Sequence, residues 1–437
     1  MLRMPGRAPG WVELLLLIAL GACATPAPPP SPSPPSIEGY WRGQFERNGS
    51  TLPVELEFSR GDGVLSGRFS APGLRAIGIP LRDVRQDRAH AHFVLAGDRT
   101  TAVFDGAVTT ETLFGGYTES DARGRFTFQR TQAPPTCAEV PAQWSHGAAT
   151  LSGSLILPEH TPAAATVLFL HGSGAEGRDA SRFEATTLCR AGYAALIYDK
   201  RGVGQSTGDW RQASFDDLAA DAAAGLDWLA ARPEINAEHI GIYGHSQGAT
   251  IAPLVAARSP HVGFVIAGAG AIGSTADVER YSLRSTVNHG VHSEAERREA
   301  YAYVDRVVRA GSAGRGLAAL IADEPNYSDR SWYFPLPAAD SYYWRFQRRI
   351  AAYDSALYWR RVRVPVLLIY GANDERVPPG SAAAIRAANG GNAPMETLQI
   401  ADADHSYMMR AATDVWPHLA PQFSETLVAF VRRNATR

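Results

Sequence analysis

The chain has 437 residues, 45% of them apolar, and a formal charge of −2 at pH 7. That length exceeds one ordinary domain, the apolar share is enough for packed cores, and the charge offers no basic field for nucleic acid. Three cysteines, Cys23, Cys137 and Cys189, exclude a disulfide-rich scaffold, and no C-x-x-C or H-E-x-x-H pattern supplies a metal site. Any catalysis is therefore expected from side chains alone, without a cofactor.

The N-terminus carries Arg3 and Arg7, the apolar run Leu14 to Leu20, then small residues, the layout of a secretory signal over 1–23. Leu20-Gly21-Ala22-Cys23 fits a lipobox, in which Cys23 takes the lipid; Ala22-Cys23-Ala24 also fits ordinary cleavage and release. Residues 24–36 are rich in proline and extend as polyproline II, reaching roughly 40 Å, enough to tether a folded body clear of a membrane. The expected location is the cell envelope, lipid-anchored to the outer membrane, with periplasmic or secreted protein as the alternative.

Residues 37–132 read as strands and turns. Val54, Leu56 and Phe58 alternate with Glu55 and Glu57, and Gly61-Asp62-Gly63 marks a hairpin. About eight such strands predict a small antiparallel barrel or sandwich. His90 and His92 share a strand face but lack a third ligand, so they read as surface residues.

From 137 to 437 strand and helix patterns alternate, predicting a mostly parallel sheet covered by helices. Ala165 to Leu170 is a buried strand leading into His171-Gly172-Ser173-Gly174. Ala194 to Tyr198 is the next, ending in Asp199-Lys200-Arg201-Gly202, and Ser214 with Asp217 caps a helix whose apolar face includes Leu218, Leu226 and Leu229. Cys189, on the apolar side of the intervening helix, reads as an inert core thiol. Ile240 and Ile242 lead into Gly244-His245-Ser246-Gln247-Gly248, a G-x-S-x-G between strand and helix. About 272–362 is an insertion too long to be structureless, expected to be a helical cap rich in Trp, Tyr and Phe. One helix in it is legible from Tyr343, Phe346, Ile350, Tyr353 and Leu357; most of the rings are expected in the cap's core and a minority against substrate. The strand Val364 to Tyr370 then delivers Asp374, and Leu398 to Ile400 delivers His405, before a last helix carrying Val415, Leu419, Phe423, Leu427 and Phe430.

These motifs resemble the α/β-hydrolase superfamily from about Trp144 onward, and within it bacterial serine esterases of the EstD-like kind, similar to the dienelactone-hydrolase and prolyl-oligopeptidase branches. The resemblance implies the α/β-hydrolase fold with a helical cap and a small N-terminal all-β domain. Ser246 is then the nucleophile, His405 the base and Asp374 its acid, with the backbone N–H of Gln247 and Ser173 as the oxyanion hole and Gly244 and Gly248 shaping the elbow. Asp199, a rival acid, is expected to be tied up by Arg201; Asp402 and Asp404 shape the histidine loop; His245 faces away from the base. The expected substrate is a small-molecule ester. A prolyl-oligopeptidase-like peptidase and an inactive envelope-binding lipoprotein are the alternatives, and the oligomeric state is open.

Overall fold

The structure, a computed structural model, describes residues 35–97, 100–120, 122–159, 162–411 and 414–435. The expected signal segment, Cys23 and the expected tether up to residue 34 lie outside the described residues.

The first unit is one antiparallel sheet of nine strands: β1 (Gly39–Arg47), β2 (Ser50–Gly61), β3 (Val64–Ala71), β4 (Ala76–Pro80), β5 (Arg82–Asp87), β6 (His90–Ala96), β7 (Thr101–Val108), β8 (Thr112–Glu119) and β9 (Ala122–Thr131). Its order is β4-β3-β2-β1-β9-β8-β7-β6-β5. Leu81, between the two edge strands, donates its N–H to the Gly67 carbonyl of β3 at 2.8 Å, so the sheet rolls up until its edges meet. The alternation in β2 does what it predicts: Leu52, Val54, Leu56 and Phe58 point inward and Glu57 outward. The barrel is filled by Trp41, Phe58, Phe93, Phe104, Phe126 and Phe128, and Phe93 stacks on Phe104 with centroids 4.8 Å apart. His92 on the outside bonds Asp105 at 2.8 Å and His90 lies 3.4 Å from the same carboxylate.

The second unit is an eight-stranded sheet: β10 (Cys137–His146), β11 (Ala149–Pro158), β12 (Thr166–Leu170), β13 (Ala194–Tyr198), β14 (Ile240–His245), β15 (Phe264–Gly268), β16 (Val366–Gly371) and β17 (Met395–Ile400). The order is β10-β11-β13-β12-β14-β15-β16-β17, with β10 and β11 antiparallel and the other six parallel. Alternate residues of each central strand feed opposite faces. Leu168, Ile242, Val265 and Leu368 pack on one side; Val167, Phe169, Tyr243 and Ile266 pack on the other. Helices α1 (Arg182–Arg190), α2 (Phe215–Ala230) and α3 (Gln247–Arg258) follow β12, β13 and β14. Helix α2 starts at the predicted capping box: the Ser214 hydroxyl accepts from Asp217 N–H and the Asp217 carboxylate from Ser214 N–H.

Between β15 and β16 lies the cap, with α4 (Thr275–Asn288), α5 (Glu294–Ala313), α6 (Leu317–Asp323), α7 (Tyr342–Ile350) and α8 (Ala356–Trp359). Ser274 and Ser293 cap α4 and α5 through the N–H groups of Asp277 and Glu296. Trp332, Trp344 and Tyr303 form the cap's own core. The stripe read as one helix breaks after Ile350. Tyr353 sits in the turn beyond it, its hydroxyl bonded to the Thr250 carbonyl, and Leu357 is on α8, 49% exposed. Trp359 belongs to the hydrolase core, not the cap's.

Helix α9 (Ser381–Asn389) follows β16. The last helix, α10 (Pro421–Asn434), starts later than its apolar pattern suggests, with Pro421 in the first turn where a missing N–H costs nothing. Val415 precedes it, and Leu419 lies in β19 (His418–Leu419), which pairs with β18 (Met408–Met409).

Cys189 is not a free thiol. It is disulfide-bonded to Cys137, joining α1 to the edge strand β10. The pairing leaves no local signal, because Cys137 begins an edge strand 52 positions away from Cys189.

Candidate active site

Ser246 stands between the last residue of β14 and the first of α3, at φ 55° and ψ −115°. A non-glycine residue takes this conformation only when its surroundings impose it. They do: a Cβ at position 244 would lie 2.4 Å from Gly248 backbone, and one at 248 would lie 2.6 Å from the Leu170 carbonyl. The two glycines thus let strand and helix close on each other, and the serine is forced to the apex.

The ends of β16 and β17 bring up the other two groups. His405 Nε2 is 3.0 Å from Ser246 Oγ, and its Nδ1 is 2.8 Å from Asp374 Oδ2. The other Asp374 oxygen accepts the N–H groups of Arg376 and Val377 at 2.8 and 3.1 Å, which fixes the carboxylate on its loop. Asp404 Oδ1 accepts from Ser406 and Met408 N–H, holding the turn that carries His405. Gln247 opens α3, where an N–H has no acceptor within the helix and the helix dipole favours negative charge. Ser173 lines the same cavity as Ser246 and His405.

Three neighbours differ from expectation. Asp199 pairs with Arg178, not Arg201: Arg178 Nη2 is 2.7 Å from Asp199 Oδ2, and the N–H groups of Arg178 and Gln205 also reach the carboxylate. Burial alone would raise its pKa, but Arg178 and these N–H groups hold it below the usual carboxylate range. Arg201 pairs instead with Asp221 of α2 at 2.5 Å. His245 does not face away from the base. Its Nε2 is 2.9 Å from the His405 carbonyl, and its ring lies 5.0 Å from the His405 ring. Burial, aided by the neighbouring His405, pushes its pKa down to about 4, so it is neutral and donates Nε2–H to that carbonyl.

Residues not singled out by the sequence complete the site. Lys200 is 2% exposed and its Nζ donates to the carbonyls of Gly172 and Gly174 at 2.5 and 2.7 Å. The Glu176 carboxylate accepts Gly172 N–H at 2.6 Å. The cavity in front of Ser246 measures 320 Å³ and is walled by Trp210, Phe215, Tyr342, Tyr343, Phe346 and Ile350, the last four from α7. At its cap side the Tyr343 hydroxyl donates to Glu279 Oε1 at 2.7 Å, and burial raises the Glu279 pKa. The sequence signals for this wall are the aromatic richness of the insertion and the helical spacing of Tyr343, Phe346 and Ile350; Trp210 and Phe215 lie outside the insertion.

Residues 136–407 match the family model of the X-Pro dipeptidyl-peptidases (S15 family). Among curated proteins, an uncharacterized protein of Mycobacterium tuberculosis is 32% identical over 108 residues, 24% of this chain and 37% of that protein, so the chain spans little more than a third of that relative's length. Among solved structures, the esterase PF2001 of Pyrococcus furiosus is 18% identical with a TM-score of 0.46, covering 69% of this chain and 91% of that one. Est1E of Butyrivibrio proteoclasticus with bound ferulic acid is 17% identical with a TM-score of 0.45, covering 68% and 100%. With the family match spanning well over half its length, the chain belongs to the S15 family, an α/β-hydrolase family of hydrolases.

Proposed function

We propose that the protein is an exported serine hydrolase that cleaves small carboxylic esters through an acyl-enzyme. The observation that carries the reading is the Ser246–His405–Asp374 chain of contacts at 3.0 and 2.8 Å, opening on an aromatic cavity. Ser246 Oγ attacks the ester carbonyl while His405 Nε2 takes its proton. The carbonyl oxygen becomes an oxyanion held by the N–H groups of Gln247 and Ser173. Asp374 keeps the Nδ1 proton in place and stabilises the imidazolium. His405 then protonates the departing alcohol, and water, deprotonated by the same imidazole, attacks the acyl-Ser246 and releases the acid.

The family description favours a second reading, a peptidase acting on amides. The ester reading is preferred because Trp210, Phe215, Tyr342, Tyr343, Phe346 and Ile350 put an apolar wall in front of Ser246, which suits an acyl chain. A fluorophosphonate probe should label the protein, and Ser246→Ala should abolish both labelling and hydrolysis of p-nitrophenyl esters. Retained labelling in that variant would sink the serine-hydrolase reading, and faster cleavage of X-Pro p-nitroanilides than of esters would sink the ester reading.

For location, we propose a lipid anchor at Cys23. The Cys137–Cys189 disulfide supports an oxidising compartment outside the cytoplasm. Cys23→Ser should move the protein from the membrane pellet to the soluble fraction; unchanged pelleting would count against lipidation.

A further inference from the structure

Lys200 is among the largest fully buried side chains in the protein, a cation that the triad chemistry does not use. Among the described residues it has no carboxylate within ion-pair distance, and its ammonium bonds two carbonyls on either side of Ser173. One of them, the Gly172 carbonyl, belongs to the same peptide group as the Ser173 N–H. In a planar trans peptide the C=O and N–H point in opposite directions. An ammonium that pulls on the carbonyl from behind the loop therefore turns the N–H toward the cavity that Ser173 shares with Ser246. It also polarises the peptide, since a bond to the carbonyl strengthens the N–H as a donor, and a low local dielectric enlarges the effect. Glu176 fixes the preceding peptide by accepting Gly172 N–H, and the Gly174 carbonyl holds the ammonium from the other side.

Resting on the serine-hydrolase reading above, we infer that Lys200 is a positioning residue of the oxyanion hole: it acts through the Gly172–Ser173 peptide to aim and charge the donor that meets the oxyanion. The sequence element that provides it is the end of β13, two residues beyond Tyr198, so the neighbouring parallel strands place cation and loop together.

The surroundings give this role a pH signature. Burial pushes the Lys200 pKa down to about 8, partly opposed by Glu176. His171, whose Nε2 meets the Tyr198 carbonyl, is pushed down by burial to about 3, and burial raises the Tyr198 pKa, so neither changes charge near pH 8. Asp199 is held low with Arg178, and Arg201 is paired directly with Asp221. The Trp210 ring lies 5.6 Å from the ammonium. Raising the pH through 8 thus removes the Lys200 charge, and a neutral amine polarises the Ser173 peptide less.

The test uses the full protein with p-nitrophenyl butyrate. Lys200→Met should lower kcat by roughly 10²-fold with KM near that of the parent, as loss of oxyanion stabilisation does. The alkaline decline of kcat in the parent should be absent from the variant, which a purely structural role would not produce. A folded variant with kcat within about threefold of the parent overturns the inference, and so does an alkaline decline that persists unchanged. Should Lys200→Met not fold, the parent alone decides. Its affinity for a trifluoromethyl ketone, which forms an oxyanion on Ser246, should weaken above pH 8, while affinity for the corresponding secondary alcohol stays level. Parallel behaviour of the two ligands overturns the inference. Ser246→Ala separates the two failures: residual turnover there removes the serine-hydrolase reading itself, whereas an inactive Ser246→Ala beside an unimpaired Lys200→Met removes only the role of Lys200.

Discussion

At the level of single residues, the backbone of Ser246 costs roughly 1–3 kcal/mol in its positive-φ conformation, and the close packing that Gly244 and Gly248 allow must offset it. Ser246, Asp374 and His405 could be read because each sits at the end of a patterned strand, and chain order limits their roles. His245 could not be read, because its partner is 160 positions away and only the sheet order brings them together. Its burial has a thermodynamic consequence. His171 and His245 are neutral in the fold with pKa values near 3 and 4, whereas in the unfolded chain they protonate near 6.5. The unfolded state therefore binds more protons below pH 6.5, and the stability these groups carry, complete above that value, is lost as pH falls toward 4 and 3. Calorimetry between pH 7 and 4 should show a falling melting temperature, and His245→Gln, which keeps an N–H donor for the His405 carbonyl but does not titrate, should make the fall shallower. An equal slope in both proteins would remove His245 from the account.

Among the elements, α7 supplies most of the apolar wall of the cavity. Its short run from Tyr342 to Ile350 puts Tyr342, Tyr343 and Phe346 on the cavity wall while Trp344 faces the cap core. The periodicity at Tyr343, Phe346 and Ile350 was legible; its end was not, because Tyr353 is drawn into the turn by the Thr250 carbonyl on α3, a contact spanning 103 positions. Removing the ring of Phe346 enlarges the cavity, which on the proposed ester reading receives the acyl chain. Phe346→Ala should therefore raise the ratio of kcat/KM for octanoyl over acetyl p-nitrophenyl esters by about 10-fold, in line with what a few methylenes in an apolar pocket discriminate. An unchanged acyl profile would show that α7 does not line the acyl side.

Over the whole molecule, the barrel and the hydrolase sheet meet through a buried ion pair. Arg75, on the turn between β3 and β4, reaches Glu184 of α1 at 2.5 Å, and the Glu184 side chain is only 1% exposed. Glu184 Oε2 and the hydroxyls of Tyr243 and Tyr407 are buried nearby without a hydrogen-bond partner among the described residues. Removing the arginine would leave the Glu184 charge buried and uncompensated, which costs about 3–5 kcal/mol. Arg75→Met should therefore lower the urea midpoint markedly, and Arg75→Met with Glu184→Gln together should recover much of the loss. No recovery in the double variant would mean the pair is not what joins the units. The disulfide works at the same scale, closing a separation of 52 residues and tying the edge of the sheet to its first helix.

The amino-acid sequence by itself determined the alternating strands of the barrel, the strand and helix order of the hydrolase sheet, the cap as an insertion, and the three residues in line at the site. All of these rest on local periodicity or on short motifs at the ends of strands, and both are properties of neighbouring residues. Only the tertiary structure decided the partners: Arg178 for Asp199, Cys137 for Cys189, His245 for the His405 carbonyl, and Lys200 for the loop at Ser173. Each pairing depends on which strands lie side by side in the sheet, and that order is set by the packing of its two faces rather than by any local pattern.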